Sequence, residues 1–273
     1  MTGSRESYVA AAERLEVLAT GERPVPLAGI ADEILAVADV LARQPRLRRA
    51  LSDPARTGED RAALLAELTE GKVSADTVAL LRLLVGGRWS SSSELLNATE
   101  RLGVEALLAS ADSAGELSEV EDELFRFGQV VDGDNELAAV LGNTTAPVAR
   151  RAELVHALLD GKARPATVRL AEVALAGFGG RNFFGSLTRL VELAAERRDR
   201  QIAYVTVAEP LAEADEQRLG ALLSRMYGRE VDLKILVDPQ ILGGLSVRVR
   251  HDLYDGTILR RLNEARVTLA GRQ

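Results

Sequence analysis

The sequence predicts a mainly α-helical protein, with two tandem related helical bundles followed by a small α/β unit. Three observations predict it. Apolar residues recur at 3–4 spacing through the first 198 positions, a 90-residue repeat runs inside that stretch, and the period changes to two after Arg200. The expected divisions are 1–110 for the first bundle, 111–198 for the second, and 199–273 for the α/β unit.

The first helix is expected from about Ser4 to Ala19, with Tyr8, Ala11, Ala12, Leu15 and Leu18 as its inward stripe. Ala10 to Ala12 keep it thin, so another helix can approach closely. Pro24 and Pro26 forbid continuation. A second helix, Leu27 to Arg43, turns Ile30, Ile34, Val37, Ala38 and Leu41 inward, and a short turn at Leu47 and Leu51 follows Pro45. Helices are then expected over Gly58–Glu70, Ala75–Val85 and Ser92–Ala111, separated by Gly71 and Gly86-Gly87, with Ser92 or Ser93 as cap of the last.

The next stretch repeats this one. Asp32-Glu33, Arg61-Ala62, Gly71-Lys72 and Thr77-Val78 recur 90 residues later as Asp122-Glu123, Arg151-Ala152, Gly161-Lys162 and Thr167-Val168. Ungapped pairing of 31–87 with 121–177 gives fifteen identities, where chance in a chain rich in Ala and Leu gives roughly five. Gly179-Gly180-Arg181 resembles Gly86-Gly87-Arg88 at an offset of 93, which implies three inserted residues. Helices of the second copy are expected over Leu117–Val131, Val148–Leu159, Ala166–Gly177 and Phe183–Arg198, its first helix being shared with or continuous from Leu102–Ala111.

Beyond Arg200 a strand is expected around Ile202–Val207, then a helix from Ala214 to Tyr227 with Leu219, Leu222, Leu223 and Met226 inward, stopped by Gly228. Val231, Leu233, Ile235 and Val237 alternate as a second strand; Leu245, Val247 and Val249 as a third. Gly243-Gly244 makes the turn before it. A short return through Asp255-Gly256 leads to Thr257, which can cap a closing helix bearing Ile258, Leu262, Ala265 and Leu269.

Composition limits what such a chain does. Aromatics are 4%, so the cores are built from Leu, Val and Ala. A net charge of −7 and a pI near 5.2 argue against a nucleic-acid backbone as partner. Only Lys72, Lys162 and Lys234 among the 34 basic residues are lysines, the mark of a GC-rich coding bias. There is no cysteine, which excludes disulfides, zinc thiolates and thiol nucleophiles. No leader pattern opens the sequence, and no apolar run reaches the roughly 18 residues a membrane helix needs.

No catalytic constellation is expected either. His156 lies on a helix with no nucleophile motif beside it, and His251, Asp252 and Asp255 read as a turn. Gly243-Gly244 leads into a strand, not a helix, and lacks the Lys-Ser/Thr of a phosphate loop. Arg197-Arg198-Asp199-Arg200 is a solvated helix end. No cofactor or metal is expected.

One stretch resembles a known family. Ile241-Leu242-Gly243-Gly244-Leu245, Val247, Val249, Asp255-Gly256-Thr257-Ile258 and Arg261-Leu262 are similar to the C-terminal signature of the delta subunit of F-type ATP synthases, the bacterial relative of the mitochondrial oligomycin-sensitivity-conferring protein. Thr257 stands where that family often has Ser. Tyr8 with its alanines resembles the family's first helix, and both Gly-Gly-Arg sites resemble its break before the last long helices. The extra 90 residues resemble the extended actinobacterial form with a duplicated helical domain, unfused to b. The resemblance implies a non-catalytic stator in the peripheral stalk, at the cytoplasmic face of the cell membrane and touching the membrane only through its complex. The implied partners are the N-terminal segments of alpha subunits and the b subunit. The groove for the alpha segment would lie between the first and fifth helices, at Tyr8, Ala11, Ala12, Leu15, Leu80, Leu83 and Leu84. The C-terminal unit would face b. Two other readings stay open: an α-helical repeat adaptor, and a two-domain enzyme binding an anion or nucleotide at Gly243-Gly244.

Overall fold

The computed structural model describes residues 2–21, 25–198, 201–227, 231–239, 241, 243–249 and 252–256. The chain divides into two compact units, Met1–Ala194 and Ala195–Gln273. The first is helical and the second is a small α/β unit, as the periodicity predicts.

The helical unit begins with α1 (Thr2–Thr20), α2 (Leu27–Arg43), α3 (Pro45–Leu51), α4 (Gly58–Thr69), α5 (Ala75–Gly86) and α6 (Ser92–Ser113). It continues with α7 (Leu117–Asp132), α8 (Asn135–Gly142), α9 (Val148–Leu159), α10 (Pro165–Ala176), a 3-10 turn at Phe178–Gly180, and α11 (Phe183–Arg197). From α2/α7 to α5/α10, each helix begins 90 residues before its counterpart. The expected turn after Pro45 is a full helix, because proline at the first helical position costs no hydrogen bond. Its counterpart α8, not foreseen as a helix, is nucleated by Asp134, whose carboxylate accepts from the N–H groups of Glu136 and Leu137. The cap of α6 is Ser91, one residue before the expected pair, and Glu94 closes a capping box on the N–H of Ser90. α11 begins 91 residues after α6, so the preceding loop is one residue longer than its counterpart, not three.

The repeated residue pairs turn out to be fastenings. Glu33 accepts from the N–H and hydroxyl of Ser74 and from the hydroxyl of Thr77, tying α2 to the start of α5. Glu123 does the same for α10, accepting from the N–H of Arg164 and the hydroxyl of Thr167. Gly71 and Gly161 adopt φ of 68° and 71°, the left-handed conformation that stops α4 and α9. Lys72 and Lys162 then reach back to the carbonyls of Leu68 and Leu158. Arg61 and Arg151 are both buried.

α6 holds the helical unit together. It packs along α2 and also meets α1, α3, α5, α7 and α10. Eleven of its residues are buried, Leu95, Leu102 and Leu108 among them. At Gly103 a Cβ would come within 2.8 Å of Leu35, so the glycine sets how closely α2 approaches. The expected seam at 110/111 therefore falls inside α6.

The α/β unit contains β1 (Gln201–Val207), α12 (Glu213–Tyr227), β2 (Val231–Val237), β3 (Leu245–Val249) and β4 (Asp252–Asp255). The sheet order is β2-β1-β3-β4. β1 and β2 are parallel; β3 is antiparallel to both β1 and β4. The expected short return is thus a fourth strand, with Tyr254 paired to Val247. Ala203, Val205, Val231, Val247 and Val249 form the core with Leu223 and Leu219 of α12. Leu222 and Met226, expected inward, are 50% and 51% exposed. The helix lays the Leu219–Leu223–Tyr227 line on the sheet, which leaves them on its flank. Gly228, His251, Thr257, Leu262 and the expected closing helix lie outside the described residues.

Candidate interaction surface

α1 and α5 pack against each other, with Gly87 at the end of α5 against Ser7. The side chains expected to line a groove there divide into two sets. Ala11, Leu15, Leu80 and Leu84 are at most 1% exposed. They form the seam between the helices and offer no surface to a partner. Ala12 and Tyr8 are half-buried, and Leu83 is exposed. The Arg101 guanidinium of α6 lies 5.0 Å from the centre of the Tyr8 ring and pairs with Glu105. Burial, reinforced by Glu105, pushes the Tyr8 phenol far above its ordinary range, so it stays neutral.

The open surface of α1 is the side away from that seam. Val9 and Val17 of α1 are 43% and 57% exposed, and Glu13 and Glu16 lie on the same side. Positions 9, 13, 16 and 17 follow the 4-3-1 spacing of one helix face. From α5, Ala79, Arg82 and Leu83 are exposed. Beside them lies a cleft of about 640 Å³ between α4 and α5, lined by Ala66, Glu70, Val78, Ala79 and Arg82 among others. The 8-residue spacing of Val9 and Val17 was visible in the sequence, but the inward stripe of Tyr8 to Leu18 is the stronger signal and draws the eye from it.

The corresponding region of the second copy is built differently. His156 of α9 lies 3.2 Å from Asp160 and 2.6 Å from Glu172 of α10. Arg169 of α10 pairs at 2.7 Å with both Glu172 and Asp32, the latter on α2. Hydrogen bonds to Asp160 and then Glu172 raise the His156 imidazole above its usual value, against a small opposing effect of burial. Glu100 of α6 accepts from the N–H of Gly179, holding the turn after α10.

In the α/β unit, Gly243 and Gly244 have φ of 120° and 83° and line a cleft of about 700 Å³ with Val207, Pro210, Pro239 and Leu245. Among the described residues of its lining one side chain is charged, Glu209, which repels an anion. Leu245 pairs with Val207 and Val247 with Val205, while Asp255 pairs with Ser246 and the N–H of Gly256 closes on the carbonyl of Leu245. The signature residues Gly243, Gly244, Leu245, Val247, Asp255 and Gly256 thus build β3 and its return. Among the described residues no cluster of His, Asp and Glu could hold a metal, and no helix is long and apolar enough to cross a membrane.

A family model described as ATP synthase delta (OSCP) subunit matches residues 17–102 and 104–269. The ATP synthase subunit delta of Salinispora arenicola is 64% identical over 269 residues, 98% of each chain. That of Streptomyces griseus is 44% identical over 270 residues, 99% of each. Among solved structures, a chain of the Toxoplasma gondii mitochondrial ATP synthase hexamer is similar at a TM-score of 0.38 and 15% identity, over 61% of this chain and 94% of that one.

Proposed function

The chain belongs to the ATP synthase delta (OSCP) subunit family, as a structural and not a catalytic subunit, and from that premise we propose that it joins alpha subunits of the catalytic head to the b-subunit peripheral stalk. The alpha segment binds as an amphipathic helix along α1 and α5. The observation that supports this most is the open face of α1: Val9 and Val17 supply apolar area, and Glu13 between them selects a basic residue on the incoming helix. A stator must transmit torque without yielding, and the fastenings at Glu33, Arg61 and Arg101 suit that load. The α/β unit faces b. The complex places the chain at the cytoplasmic face of the cell membrane.

The helical unit is best read as a duplicated domain. Helix starts spaced by 90 residues, paired fastenings, and a family match that breaks at residue 103 within α6 all support it. Isothermal titration of the full chain with a peptide of the alpha N-terminal segment, and separately with the C-terminal helices of b, tests the function. Saturable binding of both is expected. Absence of both would refute it.

A further inference from the structure

α6 stands at two positions of the repeat. It is the last helix of the first copy, with α11 as counterpart, and it begins 90 residues after α1. By that second correspondence Val9, Glu13 and Val17 of α1 match Thr99, Gly103 and Leu107 of α6. The two faces have opposite fates. Val9 and Val17 are exposed, whereas Thr99 is 1% exposed and Leu107 is 4%. At the centre of the α6 face, Gly103 receives Leu35 and Ile34 of α2.

α2 also reaches α10, the counterpart of α5. Asp32 accepts from Arg169 at 2.7 Å, and the residue matching Arg169 in the first copy is Ala79, which is exposed. The cleft between α4 and α5 shows the same asymmetry. Ala66, Glu70, Ala79 and Arg82 line it, and the matching residues His156, Asp160, Arg169 and Glu172 are the interlocked network between α9 and α10.

We propose that α2 is a built-in cover for the α6 face that matches the open face of α1, so that the chain has one open face of this kind, on α1, and takes one amphipathic helix, not two. The chain contains its own example of what covers this face: a helix with Ile34 and Leu35 inward and a charged residue at its edge. The occupant of the first copy is a helix of that kind with a basic residue toward Glu13. On the function proposed above, on which this inference rests, it is the N-terminal segment of one alpha subunit. Duplication then adds a rigid spacer and no second docking site.

Calorimetric titration of the full chain with a synthetic peptide of the alpha N-terminal segment tests this. One site per chain is expected, weakened at least tenfold by the double substitution V9E/V17E, with helicity by circular dichroism unchanged because both side chains face solvent. Two sites per chain would overturn the inference and leave the stator reading standing. So would one site indifferent to V9E/V17E, since it would lie elsewhere. No binding would sink the stator reading itself, and the inference with it.

Discussion

Arg61 is 3% exposed and spends its guanidinium on backbone carbonyls from two sides: Asp53 and Arg56 before α4, and Val85, Gly86 and Gly87 at the end of α5. Removing it leaves buried carbonyls without donors. R61A is expected to lower stability by about 3 kcal/mol, read as a shifted urea midpoint at unchanged slope. R61K recovers little, because a point-like ammonium cannot span both loops. The single tryptophan, Trp89, is a convenient probe, since its indole N–H donates to the Leu84 carbonyl beside this loop. Arg151, the repeat partner, reaches Leu141 and has a buried Nε without an acceptor. R151A therefore costs less than R61A. The sequence showed both arginines as a matched pair but not this difference, which depends on how each loop folds back.

At the scale of elements, close approach and titration each make a prediction. Gly103 lets α2 lie against α6, and a methyl there would press on Leu35 at 2.8 Å and Ile34 at 3.3 Å. Alanine improves helix propensity by up to about 1 kcal/mol. The overlap outweighs it, so G103A is expected to be destabilising by about 1–2 kcal/mol in the same urea assay. The network of His156, Asp160, Glu172, Arg169 and Asp32 links α9, α10 and α2. Because the folded-state value of His156 is raised above its ordinary 6.5, its stabilisation is complete below that pH and is lost as pH rises through the raised value. Wild type should therefore lose about 2 °C of Tm between pH 6 and 8 that H156Q does not lose, a modest figure because His156 is 45% exposed. Most helices were legible from 3–4 periodicity. α8 was not, since eight residues hold too few periodic positions, although Leu137 and Leu141 already matched Leu47 and Leu51 of α3. The open face of α1 was missed for a related reason: a core stripe gives a strong periodic signal, while a docking face such as Val9–Val17 resembles ordinary solvated surface.

At the scale of the molecule, the repeat suggests two separable bundles, and the shared helix says otherwise. A copy that owned all its helices could be cut from its neighbour at 110/111. Here that cut removes the last turn of α6 and exposes Leu107 and Leu108, which are 4% and 1% exposed in the intact unit. Compactness tells the same story, since residues 1–194 form one unit with no division at the seam. Brief trypsin treatment of the native chain should therefore cut first near the boundary of the two units, after Arg197 or Arg198. Within the helical unit, Lys72, Lys162 and Arg181 follow helix ends and can be nicked, but the pieces are expected to elute together on gel filtration, held by α6. Mass spectrometry of that peak should show fragments summing to the whole helical unit. A stable, separately eluting fragment ending at Arg101 or Arg126, the tryptic sites on either side of the seam, would show that the copies are independent, and would refute the shared-helix architecture along with the closed second groove.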